Sequence, residues 1–114
     1  MNRLSHHGEF EIIAYCDEKN LEPFSQWFGE LDFKIQNIVF ARLNRIKLGN
    51  FGDCESVGDK VYEIKIHIGP GYRIYFAKER NKLILLLCAG DKSSQKKDIK
   101  KAKNFLQRFY EKQN

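Results

Sequence analysis

The chain of 114 residues has no apolar run close to the roughly 20 residues that a membrane-spanning helix needs. Its most apolar run, Leu83 to Ala89, has the length of a buried strand. The N-terminal sequence MNRLSHHGEF lacks the apolar centre of a secretory signal peptide. We therefore expect a cytoplasmic protein that does not associate with a membrane.

Cysteine is scarce, and metal-binding patterns are missing. Cys16, Cys54 and Cys88 form no CxxC or zinc-ligand spacing, so we expect three reduced thiols, with Cys88 in the core. No pair of carboxylates is placed to hold a metal ion, and we expect neither a metal nor a cofactor. His6 and His7 are expected to form a mobile terminal pair.

Proline is also rare, and the remaining periodic segments predict an α+β fold in a single domain of residues 1–114. Pro23 suits the first turn of a short helix, Asp32 the N-cap of a second helix, and Gly49 its end. The predicted order is a strand at 10–15, this helical hairpin, a loop or short edge strand at 51–58, strands at 60–68, 72–78 and 82–89, and a helix at 94–111. We expect the helices to pack on a mostly antiparallel sheet.

Two segments flanking Gly69–Gly71 alternate apolar and polar residues, as half-buried strands do. The apolar face is expected to hold Tyr62, Ile64, Ile66, Ile68, Tyr72, Ile74 and Phe76. The opposite face is expected to hold Glu63, Lys65, His67, Arg73 and Tyr75. With a three-residue turn, the predicted cross-strand pairs are Ile68 with Tyr72, Ile66 with Ile74, His67 with Arg73, and Lys65 with Tyr75. Hydrophobic burial does not require the polar face, which makes it the first candidate for function.

The side chains of the polar face suit metal-independent cleavage of a ribose-phosphate linkage. Arg73 offers a planar fork that matches a phosphate, and Lys65 can act as a base when desolvated. His67 can exchange protons, and Tyr75 can stack on a base. Such a reaction needs a base for the 2′-hydroxyl, cations for the phosphorane and an acid for the leaving oxygen. The alternative interpretation is a solvated sheet face, which often carries Lys, Arg and Tyr.

A second candidate is the loop that leads into the last helix, where Lys92 precedes two serines. Ser93 or Ser94 is expected to cap that helix rather than to act as a nucleophile. Residues 91–114 hold eight cations and three anions, an excess that equals the net charge of +5. This basic end suits a nucleic acid or an acidic protein partner. The alternative is that the lysines only solvate the helix surface.

The stretches RLNRIKLGNFGDCESVGDKVYEIKIHIGPGYRIYF and ILLLCAGDKSSQKKDIKKA resemble the addiction-module killer proteins, which are HigB-like members of the RelE/ParE toxin superfamily. The resemblance covers about residues 10 to 110, and the runs GPGYRIYF and GDKSSQ are its most specific parts. It implies a small domain in which a helical hairpin lies on one side of a curved antiparallel sheet.

The resemblance also implies an activity. RelE-type toxins are ribosome-dependent endoribonucleases that cut mRNA without a metal and leave a 2′,3′-cyclic phosphate and a 5′-hydroxyl. The family pattern Tyr-x-Ile-Lys and Gly-Tyr-Arg matches residues 62–65 and 71–73, which implies that Lys65 is the base and that Arg73 stabilises the transition state. Lys92 falls where the RelE branch has an arginine that contacts the scissile phosphate. The residues predicted to bind substrate are His67, Tyr75, Gln95, Lys96 and Lys97.

The sequence departs from the RelE pattern at two positions. Glu63 stands where RelE has a second lysine, and Asp98 lies near the position of a tyrosine that stacks on the substrate base. The identity of the general acid is therefore open. The expected partners are a cognate helix-turn-helix antitoxin, the ribosome and mRNA. The alternatives are a ParE-like toxin that inhibits DNA gyrase without nuclease activity and a non-catalytic nucleic-acid-binding module.

Overall fold

A computed structural model describes residues 9–113, which form five strands and three α-helices in the order that the sequence predicts. In chain order, the elements are β1 (Glu11–Ala14), α1 (Pro23–Gly29), α2 (Phe33–Lys47), β2 (Cys54–Gly58), β3 (Val61–Ile66), β4 (Tyr72–Glu79), β5 (Leu83–Asp91), a 3-10 turn (Lys92–Ser94) and α3 (Gln95–Gln113). His6, His7 and the predicted domain limits at residues 1 and 114 lie outside the described residues.

The five strands form one sheet in the order β1-β5-β4-β3-β2. Neighbouring strands run antiparallel except for β1, which pairs with β5 in parallel. The predicted α+β class, with a mostly antiparallel sheet, is confirmed. The segment 51–58, which the sequence left open between loop and edge strand, ends in the edge strand β2.

The ends of the hairpin helices follow the local sequence. Pro23 opens α1, and the Asp32 side chain caps α2 by accepting a hydrogen bond from the Lys34 backbone N–H at 3.0 Å. Gly49, just beyond α2, has a φ of 89°, a left-handed conformation that favours glycine. No helix among residues 9–113 is both long and apolar enough to cross a membrane.

Both faces of the sheet are covered, which argues against the alternative interpretation of the polar face as a solvated sheet face. The hairpin helices pack on the apolar face, where Ile64, Ile74 and Phe76 are fully buried. Helix α3 packs on much of the other face, where Ala102 and Leu106 meet a second apolar cluster. The residues that the sheet contributes to this second cluster are Val61, Tyr75, Ala77, Leu85, Leu87 and Cys88. The apolar stripe of α3 needs a surface on which to be buried, and the polar face supplies it.

The β3–β4 hairpin has a different register from the predicted one. The observed pairs are Ile66 with Tyr72, Lys65 with Arg73, Ile64 with Ile74, and Glu63 with Tyr75. The prediction was wrong because β3 ends at Ile66 and five residues, 67–71, make the connection. Two backbone hydrogen bonds close tight turns within this connection. They run from Ile68 N to Ile66 O and from Gly71 N to Ile68 O. The register shift is even, so the side chains within β3 and β4 keep their predicted faces, whereas His67 now lies in the connection.

Candidate active site

Lys65 and Arg73 lie directly opposite each other on β3 and β4. Both point toward the α3 side of the sheet. Their chain neighbours Ile64 and Ile74 point the opposite way and are buried on the side that the helical hairpin of α1 and α2 covers, which we call the hairpin side. Directly opposed residues of an antiparallel pair have Cβ atoms about 5 Å apart. The pairing that the sequence did not predict therefore makes the two cations immediate neighbours.

A buried carboxylate lies beside them on the same face. Glu63 is 1% exposed, and its Oε2 accepts hydrogen bonds from the Tyr75 hydroxyl at 2.9 Å and from the Gln95 amide at 2.8 Å. Arg73 Nε lies 3.6 Å from the same oxygen. A buried carboxylate is costly unless donors and a charge partner surround it. Glu63 thereby joins β3, β4 and the start of α3 at one point.

The Arg73 side chain is only 12% exposed and is held at two places. Its Nε faces Glu63, and its Nη1 donates a hydrogen bond to the Gly71 carbonyl at 3.2 Å. Arg73 Nε and Glu63 Oε1 are buried without a hydrogen-bond partner among the described residues. A planar guanidinium fixed at two points has little freedom to rotate, which suits it to receive a phosphate in one orientation.

Lys65 is less firmly held than Arg73. Its Nζ lies 3.7 Å from Glu55 Oε1 on the edge strand β2, and the Glu55 side chain is 60% exposed. Ion pairs with so much exposure to solvent contribute little to stability. An incoming phosphate could therefore replace Glu55 at small cost, and Lys65 is 25% exposed and accessible for such an exchange.

Lys92 approaches the same place from β5. It is exposed and begins the 3-10 turn that follows this strand. A Cβ added to Gly71 would lie 3.8 Å from Lys92 Cβ and 3.5 Å from Arg73 Nη1. Gly71, with a φ of 80°, therefore lies in contact distance of both residues. The structure brings Lys65, Arg73 and Lys92, the three predicted catalytic residues, to the same end of the neighbouring strands β3, β4 and β5.

The turn that carries Lys92 is held by Asp91. Asp91 Oδ1 accepts hydrogen bonds from the Ser93 backbone N–H at 2.9 Å and from the Ser93 hydroxyl, and these bonds hold the pKa of Asp91 below its ordinary value. Ser94 Oγ donates to Asp98 Oδ2 at 2.6 Å. Asp91 is therefore the N-cap of the 3-10 turn, and both serine hydroxyls act as donors at this turn, while a serine cap on α3 itself stays a prediction.

Asp98 is buried against β5 rather than presented to a substrate. It is 7% exposed, and a Cβ added to the neighbouring Gly90 would clash with its carboxylate. The Cys88 thiol lies 3.5 Å from the Asp98 backbone carbonyl. Burial raises the pKa of Cys88 to about 12, which keeps this thiol protonated and unreactive. Asp98 therefore does not replace the stacking tyrosine of RelE-type toxins.

Two predicted substrate contacts are not part of an open sheet face. Tyr75 is fully buried, so its ring cannot stack on a base as the sequence suggested. Burial and its hydrogen bond to Glu63 raise the pKa of Tyr75 far above its ordinary value, which also removes it as a source of protons. His67 lies beyond the end of β3, 70% exposed and paired with Asp53. That hydrogen bond lowers the pKa of Asp53.

The first turn of α3 holds the other predicted contacts. Gln95 is half-buried because its amide bonds Glu63, whereas Lys96 and Lys97 are exposed. Together with Lys92 and Ser93 they line a shallow, open depression. Contact of these residues with a substrate stays a prediction.

The arrangement places the cations Lys65 and Arg73 side by side, where an anion can bind, and Lys92 borders the same turn at Gly71. Among residues 9–113, no group of three or more His, Cys, Asp or Glu side chains could hold a metal ion. The sequence placed Glu63 on the polar face and marked it as a departure from a family pattern, but it did not predict that Glu63 organises the site. Its one signal in the sequence is that alternation places it on the face of Lys65 and Arg73.

Comparison with known proteins adds a family and a relative. The family model described as phage-derived protein Gp49-like matches residues 26–109, which includes every predicted site residue. A protein of Haemophilus influenzae strain Rd is 44% identical over 90 residues, which are 78% of this chain and 91% of the relative. The relative is named only as an uncharacterized protein.

Proposed function

Because the chain belongs to the Gp49-like family of phage-derived proteins, which are toxins of the RelE addiction-module type, we propose that it is the toxin of a type II toxin–antitoxin pair and a ribosome-dependent mRNA endoribonuclease. The observation that carries this proposal is the direct pairing of Lys65 with Arg73, with Lys92 and Arg73 both bordering Gly71. A toxin that acts only by binding would not need a guanidinium held by a buried carboxylate beside an accessible lysine.

The proposed reaction is an internal transesterification of RNA. The Lys65 amine, in its neutral form, accepts the proton of a 2′-hydroxyl, and that oxygen attacks the adjacent phosphorus. Arg73 donates to the non-bridging oxygens as negative charge grows in the phosphorane, and Lys92 adds a second cation there. The bond to the 5′ oxygen breaks, that oxygen takes a proton from water, and a 2′,3′-cyclic phosphate and a 5′-hydroxyl result.

The remaining charges fit a ribosomal target. Lys96, Lys97 and Lys100 are exposed along the start of α3, and Lys96 and Lys97 line one depression together with Lys92. A row of lysines binds phosphates in a manner that weakens as salt rises. We propose that α3 contacts ribosomal RNA in the cytoplasm and that a cognate helix-turn-helix protein silences the toxin.

The decisive experiment is single-turnover cleavage of mRNA on programmed ribosomes by Lys65→Ala. The rate at saturation should fall on the order of 100-fold while ribosome binding stays within about threefold, because a base acts in the chemical step. Lys19→Ala is the matched control, since Lys19 is an exposed lysine in the loop before α1. It should cleave like the unaltered protein.

Two outcomes would contradict the proposal. Weaker binding by Lys65→Ala with an unchanged rate at saturation would make Lys65 an anchor and not a base. Absence of cleavage by the unaltered protein, together with growth arrest and gyrase-linked DNA breaks, would favour the gyrase inhibitor. Absence of both cleavage and growth arrest would leave a nucleic-acid-binding module.

A further inference from the structure

Helix α2 buries one side and exposes large apolar residues on the other. Val39 and Ile46 are completely buried against the sheet. Phe33 is 75% exposed, Phe40 60% and Leu48, which caps the helix, 67%. At about 100° per residue, Phe33 and Phe40 lie roughly 20° apart around the helix and Leu48 roughly 80° from Phe40, so the three side chains share one outer face. We call these three side chains the α2 stripe.

The charged side chains that α2 itself carries beside the stripe are all positive, and the nearest acidic residue along the chain is Asp32, the N-cap that precedes Phe33. From Phe33 to Gly52 the chain contains no aspartate or glutamate. Lys34, Arg45 and Lys47 are exposed beside the stripe, whereas Arg42 turns inward and donates a hydrogen bond to the Lys65 carbonyl at 3.1 Å. The surface is therefore an apolar centre between cations, and exposed aromatic rows of this kind mark interaction sites in soluble proteins.

We propose that the α2 stripe is the docking site for one amphipathic helix of the cognate protein partner, with an apolar face for Phe33, Phe40 and Leu48 and acidic residues on its flanks. A helix reads such a stripe through anchors spaced at three, four and seven residues. The acidic flanks follow from charge complementarity with Lys34, Arg45 and Lys47. This inference rests on the proposed function, because the partner is the one that a toxin of this type requires.

A second copy of this chain matches the same surface less well than a partner of opposite charge does. Symmetric pairing places the same patch of both molecules face to face. Two α2 stripes in contact would set the cations of one copy against those of the other, with no carboxylate from Phe33 to Gly52 to balance them. A partner of opposite charge avoids this repulsion, which favours association with a different protein.

The α2 stripe and the candidate active site lie on opposite sides of the sheet. Helix α2 packs on the face of Ile64 and Ile74, whereas Lys65 and Arg73 face the α3 side. Binding and cleavage can therefore be altered separately by substitution. This separation allows a test in which the partner interface is changed while the proposed chemistry is left alone.

The test uses the protein encoded by the reading frame adjacent to this one as the binding probe. The Phe33→Gln/Phe40→Gln double variant removes both rings and adds no charge. Leu21→Gln is the matched control, because Leu21 is 43% exposed in the loop before α1 and lies outside the stripe. Affinities are measured by titration in a Lys65→Ala background. Because this substitution removes the proposed cleavage activity, each variant can be produced without its partner. Growth relief on co-expression is scored in the otherwise unaltered chain.

The double variant should lose affinity on the order of 10-fold or more, since buried aromatic anchors dominate binding energy. It should still arrest growth, and the partner should no longer relieve that arrest. Leu21→Gln should bind like the parent. Lys34→Glu/Lys47→Glu should bind more weakly, and its affinity should change less between low and high salt. Circular dichroism checks that each variant is folded.

Each contrary outcome has one meaning. Unchanged affinity of the double variant overturns this inference and leaves the proposed function intact. No binding between the adjacent protein and the parent chain overturns the inference and removes the partner from the proposed function, while ribosomal cleavage can still be measured. A dimer of the chain alone that the double variant abolishes, seen by sedimentation, would assign the stripe to self-association and overturn the inference.

Discussion

The two faces of the β3–β4 hairpin differ in what they bury. On the side covered by α1 and α2, Ile64 and Ile74 pair across the strands and are completely buried among apolar neighbours. One residue away on each strand, Lys65 pairs with Arg73 beside the buried Glu63. The same ladder of backbone hydrogen bonds therefore supports a dry core and a charged site. Both faces carry an apolar core, but at the Lys65–Arg73 pair the α3 side holds charged groups that hydrophobic burial alone would not select.

The largest expected effect is on the charged face. Arg73→Lys keeps the positive charge next to Glu63 but loses the planar fork, so cleavage should fall on the order of 100-fold or more. The melting temperature should change little, because Glu63 keeps Tyr75 and Gln95 as donors. Single-turnover cleavage and thermal unfolding measure the two quantities. Full activity in Arg73→Lys would show that only the charge at this position matters.

Arg73→Ala is a less selective change than Arg73→Lys. The substitution also removes the cation that faces the buried Glu63, and loss of a buried charge partner destabilises the fold. Combining Arg73→Ala with Glu63→Gln removes both charges and should restore much of that stability without restoring cleavage. Recovery of cleavage in the double variant would mean that Arg73 only balances Glu63.

One residue further along β4, we expect a substitution to lower stability without lowering cleavage. Ile74→Ala should lower the free energy of unfolding by about 2–5 kcal/mol, since it leaves a cavity in the hairpin-side core. Cleavage per folded molecule should remain near that of the unaltered protein. Chemical denaturation gives the stability, and active-site titration corrects the rate for unfolded chain. A large loss of rate in folded Ile74→Ala would show that the two faces are coupled.

A smaller effect tests the buried network itself. Tyr75→Phe removes one of the donors to Glu63 and should lower the free energy of unfolding by about 1–3 kcal/mol. Tyr72→Phe is the control on the same strand, because Tyr72 is only half-buried and faces the hairpin side. Equal effects of the two substitutions would mean that the Tyr75 hydroxyl does not stabilise Glu63.

The smallest effect concerns the turn between the two strands. Asp53 bonds His67 and therefore has a pKa below its ordinary value of 3.8. A carboxyl group whose pKa is lowered on folding stabilises the fold at pH values above its ordinary pKa. This contribution is lost as the pH falls through the lower pKa of the folded state. In His67→Ala the Asp53 carboxyl should titrate closer to 3.8, which NMR of the carboxyl carbon can follow. An unchanged titration would show that the hydrogen bond is absent in solution.

Much of the fold follows from local sequence. Pro23, Asp32 and Gly49 bound the hairpin helices where turn and capping chemistry place them. Alternation along residues 61–66 and 72–79 correctly separates the two faces, because a strand side chain points to one face or the other at each residue. The residue types on the charged face likewise identify Lys65 and Arg73 as candidates before any contact is known.

Only the tertiary structure decided how these residues meet. The register depends on a five-residue connection whose turns form through hydrogen bonds at Ile68 and Gly71, and no alternation pattern encodes its length. The burial of Glu63 and Tyr75 depends on α3, which is distant in sequence and returns to cover that face. Residue type and alternation are local properties of the chain and can be read from it directly. Neighbours across strands and between layers are set by the packing of the whole chain, because each apolar surface is buried only where another element completes it.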